Sequence, residues 1–333
     1  MAGDRVRTAE VIAALSLATD LGMELPFEHG LQSTLIAVRL AERLGVDAET
    51  ASSTYYGCLL FYIGCTADAE VSAEGALVTH FAPVMFGTPR QTAVGIMRAL
   101  SDPAASLPRN ALRIASSLPS ALSGHQRHIT ALCEVALMLT DRLGLPASVR
   151  DLFRSLTDRW DAKGEEVPLP VRIMHVARDA AFQRLLGGDG YAAEVVRRRG
   201  GHAFDPQIAA LLADEAEAVL APGESAWDQV LDAEPSHRLT LDGPAIDRAL
   251  AAIADFADLI SPCLVGHSSG VSDLAVSAGR LCGYPEAELV ALRRAALVHD
   301  VGRVAVPAGI WQKPGPLTQH EWERVRLHAY HSV

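Results

Sequence analysis

The feature that most limits what this chain can fold into is a likeness between its two ends. His29 falls on His267, and without a gap Gly45 falls on Gly283, Leu59-Leu60 on Leu297-Val298 and Gly64 on Gly302. Each stretch carries apolar residues at helical spacing: Ile36, Leu40 and Leu44 in the first, Val271, Leu274, Ala275, Ala278 and Leu281 in the second. Helical segments that recur restrict the chain to helix-on-helix packing, built twice. An all-α fold of two similar bundles in tandem is therefore expected.

Composition agrees. The chain has 333 residues, enough for two domains, and 49% of them are hydrophobic, with a mean hydropathy of +0.16 and few aromatics. The net charge of -11 argues against direct nucleic-acid binding, which needs clustered Lys and Arg, and Arg197-Arg198-Arg199 reads as a helix end. Five scattered cysteines form no zinc-knuckle or disulfide pattern, so a reducing cytoplasm is expected. No apolar run is long enough to span a bilayer, so no membrane partner is expected.

Periodicity predicts helices over Arg7 to Leu21, Glu28 to Leu44, Ala51 to Ile63, Thr92 to Leu100, Asn110 to Ser117 and His128 to Leu143. Pro83 and Gly87-Thr88-Pro89 interrupt any pattern over 66 to 90. Residues 221–243 mix Pro, Gly and acids and read as a linker between a domain at 1–220 and a second unit at 244–333. After it, Ile246, Leu250, Ile253 and Leu259-Ile260 form an inward stripe that could join the two units.

The chemistry concentrates near the C-terminus. The run RAALVHDVGR ends an apolar helix in His299-Asp300, an imidazole beside a carboxylate and so a ready pair of divalent-metal ligands. His267 opens a helix upstream. Downstream, Pro307 and Pro314-Gly315-Pro316 stiffen a loop, Thr318 and Glu321 read as a capping box, and the helix that follows carries His328. A lone histidine on a helix is more often a core residue than a ligand, and Lys313-Pro314-Gly315 alone is only a turn. His320, His331 and Asp273 read as solvated.

This order, with the wording HDVGR, VPAGIWQKPGPLTQHEW and RLHAY, resembles the HD-GYP branch of the HD-domain metal-dependent phosphohydrolases. The likeness spans 244–333. It implies HD-domain helical bundles and metal ligation by His267, His299, Asp300 and His328. It also implies a divalent metal, iron or manganese, with Asp300, Arg303 and Lys313 in the catalytic machinery. The implied partner is cyclic di-GMP, or another cyclic dinucleotide or phosphorylated small molecule. Arg303 stands where the family usually has Lys, offering a planar fork instead of a point charge. The family pattern continues with a His-His pair, a Gly-Tyr-Pro loop and a final metal-binding Asp, and the sequence reaches Val333 ahead of them. The second unit is therefore read as the N-terminal half of such a domain, with apolar surface that a homodimer could cover.

The first unit resembles the same family with its ligands replaced. Phe61-Tyr62 match His299-Asp300, and Cys65 matches Arg303. Over 150–212, Leu156 to Asp161 take the place of the His-His-Glu stretch, and Arg178 sits where the terminal Asp ligand is expected, with Asp179 one residue late. A metal-free relic is expected there. Two functions follow: a phosphodiesterase centred on His299-Asp300, or a catalytically inactive regulatory module that binds a ligand or partner.

Overall fold

The computed structural model describes residues 5–63, 86, 88–100, 106, 108–109, 111–112, 114–116, 133–222, 225–235 and 238–333. The fold is all-α. It opens on α1 (Thr8–Gly22), α2 (His29–Leu44) and α3 (Ala48–Phe61). Gly45, at φ 63°, ends α2 in the left-handed conformation that glycine adopts without strain. The Asp47 carboxylate then caps α3 by accepting from the Thr50 amide at 2.7 Å. There follow α4 (Pro89–Leu100), a helical run over 133–142 (α5), α6 (Ala147–Leu152), α7 (Trp160–Lys163) and the long α8 (Leu169–Arg199), which kinks at Gly188. Then come α9 (Pro206–Asp214), α10 (Ala216–Val219) and α11 (Ala226–Asp232). The expected features at Gly64, Cys65, Pro83 and His128 lie outside the described residues.

The last part of the chain runs through α12 (Gly243–Asp258), α13 (His267–Leu281), α14 (Glu286–Val298), a 3-10 turn (Val301–Ala305), α15 (Ala308–Trp311), α16 (Gln319–Arg326) and α17 (His328–His331). The only departure from helix among the described elements is a ribbon of two short strands, Arg5–Arg7 (β1) and Thr240–Asp242 (β2), paired antiparallel with Val6 opposite Leu241. Helical periodicity does not detect it, because three residues are too few to show a period of two. The 221–243 stretch read as a linker carries α11 and β2 and is bound to the first bundle. Tyr55 and Tyr56 donate their hydroxyls to the Val230 carbonyl (2.9 Å) and to Glu234 (2.6 Å), and Arg7 forms an ion pair with the same Glu234.

One hydrophobic core runs from Ala9 on α1 to Val304 in the 3-10 turn, taking in Ile246, Ile253 and Phe256 of α12. Of the expected stripe, Ile246 and Ile253 lie in this core and Leu250 packs against it, whereas Leu259 turns out to solvent. The expected inner face of α13 requires correction. Ser268, Ser272, Val276 and Gly279 are buried, while Leu274 and Leu281 are 74% and 91% exposed. Close packing decides it: a Cβ on Gly279 would lie 2.7 Å from Leu289, so α13 and α14 meet over small residues where no leucine fits. Among the described residues, no helix is long and apolar enough to cross a membrane.

Buried titratable groups in the first bundle predict how stability depends on pH. Burial pushes the Asp20 carboxyl up to about 8. Burial, with the nearby cations Arg178 and Arg184, pushes His29 down to about 3. Burial, with Arg178, takes His175 down to about 4. From about pH 4 to the ordinary imidazole value of 6.5, the unfolded chain binds protons on both histidines that the native state refuses, and stability rises. Asp20 works in the opposite direction: the native state keeps its proton, so its contribution is lost as pH rises toward 8. Asp179, also raised by burial, acts with the same sign. Below the ordinary histidine value the two histidines and the two carboxyls oppose each other, while above it only the carboxyls act, so stability should decline there, by at most about 1.4 kcal/mol per pH unit for Asp20 alone. Denaturant titrations across this range check it, and Asp20→Asn should flatten the decline. A stability that climbs steadily to pH 8 would contradict it.

Candidate metal centre

Three helix ends and one turn build the site. His299 closes α14, and Asp300 is the first residue to leave it, at the start of the 3-10 turn. His267 is the first residue of α13, behind Gly266 at φ 78°. His328 is the first residue of α17. Asp300 is buried, and the three histidines are partly exposed.

The three imidazoles converge on that one carboxylate. His299 Nε2 lies 2.8 Å and His267 Nε2 3.4 Å from Asp300 Oδ2, while His328 Nε2 lies 3.3 Å from Oδ1. Donor atoms of His267, His299 and Asp300 all fall within 4.8 Å of one another. Nδ1 of His299 contacts the Ala296 carbonyl at 2.8 Å, and Nδ1 of His328 contacts that of Val325. A carbonyl only accepts, so each Nδ1 donates to it, and each ring is held with its Nε2 directed at the Asp300 carboxylate. A backbone carbonyl behind a ligating histidine is also the usual way such a ring is held for a metal. These residues therefore fit a divalent cation.

Arg303 completes the cluster. Its guanidinium pairs with Asp300 and reaches His267 Nε2 at 3.4 Å, while Nε and Nη1 are buried without a hydrogen-bond partner among the described residues. Trp311 stands beside it, 5.9 Å from ring centre to guanidinium carbon, and donates its indole N–H to the Arg303 carbonyl at 3.2 Å. Lys313 is placed differently: its ammonium is held by Glu321 at 2.7 Å, so its contacts tie the Lys-Pro-Gly loop to the start of α16. The capping box there forms as expected, Thr318 accepting from the Glu321 amide. His320 and Asp273 are exposed, and His331 is partly buried.

Sequence reasoning missed the residue that sets His267. Asp258, buried at the end of α12, accepts from the Ser268 amide at 2.9 Å and from its hydroxyl at 2.8 Å. In the first bundle, Asp20 accepts from the Gly30 amide at 3.2 Å. Both carboxylates stand at the same register ahead of their histidine, and that shared register was the available signal. Asp258→Ala should leave two buried donors unpaired, costing roughly 1–3 kcal/mol. It should also loosen His267, weakening metal binding about 10- to 100-fold. Ser268→Ala keeps the amide bond and should do less. Metal titrations of the two variants check the order, and equal losses would contradict it.

The first bundle has a counterpart of different chemistry. Left-handed Glu28, at φ 67°, precedes His29 as Gly266 precedes His267. His29 is buried, 5.5 Å from the Tyr62 ring and 4.5 Å from the Phe182 ring between centroids. The buried Arg178 guanidinium lies over Phe61 and is 5.1 Å from the Tyr62 ring centre. Asp179 is buried too, and it pairs with Arg199 and accepts from Gln183 at 3.1 Å. His29 is thus surrounded by the rings of Tyr62 and Phe182, with the Arg178 guanidinium among the aromatic faces.

No family model matches the sequence. An alignment of 337 residues with 3′3′-cGAMP-specific phosphodiesterase 3 of Vibrio cholerae serotype O1 shows 25% identity, covering 96% of this chain and 73% of that protein. The 3′3′-cGAMP-specific phosphodiesterase 2 of the same organism is 40% identical over 53 residues, 16% of this chain and 10% of that protein. Among solved structures, the cyclic GMP-AMP-specific phosphodiesterase V-cGAP3 of V. cholerae superposes with a TM-score of 0.71 at 22% identity, over 99% of this chain and 78% of that one. The chain therefore has the fold of that phosphodiesterase and carries, at its C-terminal end, a cluster of three histidines and an arginine about one buried aspartate.

Proposed function

We propose that the chain is a metal-dependent phosphodiesterase of HD-GYP type that hydrolyses a cyclic dinucleotide at the His267, His299, Asp300 and His328 centre. The observation that carries this is the convergence of three imidazole Nε2 atoms on one buried carboxylate. A divalent cation held there, iron or manganese, would supply Lewis acidity toward a phosphodiester and lower the pKa of water. Asp300, itself buried, would compensate that charge. His299 and His328 are oriented by backbone carbonyls behind their rings, which would hold each Nε2 toward the cation. Arg303 has two buried N–H groups unspent on protein, and a phosphate oxygen satisfies them in the planar geometry a guanidinium prefers. Lys313, through Glu321, fixes the loop beneath the site.

Similarity to proteins named for 3′3′-cGAMP favours a 3′3′-linked cyclic dinucleotide over other phosphorylated molecules. The matched helices, left-handed entry residues and anchoring aspartates favour a tandem origin. On this reading residues 1–220 are a degenerate copy, 221–243 the connection and 244–333 the part of a second copy that bears the metal motif. The test is hydrolysis of 3′3′-cyclic GMP-AMP and of cyclic di-GMP by the chain supplied with manganese or ferrous iron. Linear nucleotide products that disappear with a chelator support the proposal. Metal binding without turnover of either would assign the chain to ligand binding instead.

A further inference from the structure

The linker between α1 and α2, the first turn of α2 and the kink of α8 enclose a pocket in the first bundle that the reaction above does not use. Its volume is about 370 Å³, near the lower end of ligand pockets. The kink makes one wall. Gly188 takes φ 79° and ψ -175°, and a Cβ on Gly187 would meet the Tyr191 ring at 2.5 Å, so α8 turns over a glycine pair that no other residues replace.

The polar groups facing this space are incompletely used. Arg184 is bonded through Nε to Asp189 at 2.7 Å, and its terminal nitrogens have no partner among the described residues. The Gln32 amide likewise has none. His29 lines the floor, 4% exposed, with Nε2 unpartnered. Behind them Arg39 is bonded only to neutral acceptors, the carbonyls of Val219 and Ala221 and the Gln229 side chain, so its charge adds to that of Arg184. At the lip Phe27 is 60% exposed and Leu185 39% exposed. An exposed ring beside a cation suits a planar base carrying one phosphate. One available guanidinium and the small volume suit one phosphate rather than two.

We infer that this pocket is a second, non-catalytic ligand site, which takes a mononucleotide with its phosphate on Arg184 and Gln32 and its base against Phe27. The site is independent of the metal centre. Its test uses the full-length chain with Asp300→Ala, in the presence of a chelator, so that the metal centre is silent. Calorimetric titration with adenosine and guanosine monophosphates should show saturable binding, weakened about tenfold or more by Arg184→Glu. It should also be weakened by Gln32→Ala and by Phe27→Ala, with helical content unchanged in each variant. Inorganic phosphate should bind far more weakly. No saturable binding of either nucleotide, binding untouched by Arg184→Glu and Gln32→Ala, or phosphate binding as tight as the nucleotide's would each overturn the inference.

Discussion

Asp300→Ala is expected to empty the centre and stop hydrolysis together, each falling by on the order of 10²-fold or more. The carboxylate is the point on which His267, His299, His328 and Arg303 all converge, so its loss leaves three imidazoles and a guanidinium with no anion among them. Removing it thus exposes the remaining donors to mutual repulsion as well as subtracting one ligand. Thermal stability should change far less than function, because the site is partly exposed and the core lies elsewhere. Metal content and turnover measured on the same preparations decide it. A variant that keeps its metal while losing turnover would make Asp300 a proton-transfer group and not a ligand.

Gly302→Ala is expected to do comparable damage without touching a ligand. A Cβ at this position would lie 2.1 Å from the His328 carbonyl oxygen and 2.6 Å from backbone atoms of His331 and Ser332. Those are main-chain atoms, so no side chain can swing aside and α17 itself must move. The Gly302 amide also donates to the Ser332 hydroxyl at 2.9 Å, and that hydroxyl donates to the His328 carbonyl at 3.0 Å. One methyl group therefore pushes away the helix that begins with His328. The cost in stability should be about 1–3 kcal/mol, with a loss of metal affinity matching that of His328→Ala. Combining Gly302→Ala with His328→Ala should add little beyond either alone, since both remove the same imidazole. Fully additive losses would contradict the mechanism.

What the sequence disclosed follows from what is local. The helices carrying His29 and His267 begin within a residue of where the sequence put them, and His299-Asp300 stands at a helix end as the apolar run suggested; His328, expected on the helix that Thr318 and Glu321 cap, instead opens the separate α17, because α16 ends at Arg326. The all-α class followed from the same periodicity. Non-local features stayed hidden. The α13 face was misread because Gly279 against Leu289 depends on how closely two helices approach, and hydrophobicity alone favoured Leu274 and Leu281. The ribbon of β1 and β2 joins residues from opposite parts of the chain and leaves no periodic trace. Asp258 went unread, because the Ser268 amide it accepts from is brought beside it only by the turn between α12 and α13. The Glu321 partner of Lys313 depends on how the Lys-Pro-Gly loop folds onto α16, which the sequence pattern does not show.

The account rests on a single metal centre at the C-terminal cluster, with the first bundle's counterpart unable to replace it. Metal content of the intact chain equilibrated with manganese, measured beside Asp300→Ala and His29→Gln, tests this most directly. The parent and His29→Gln should hold the metal, and Asp300→Ala should release it. Metal retained by Asp300→Ala, or lost in His29→Gln with the fold intact, would contradict it.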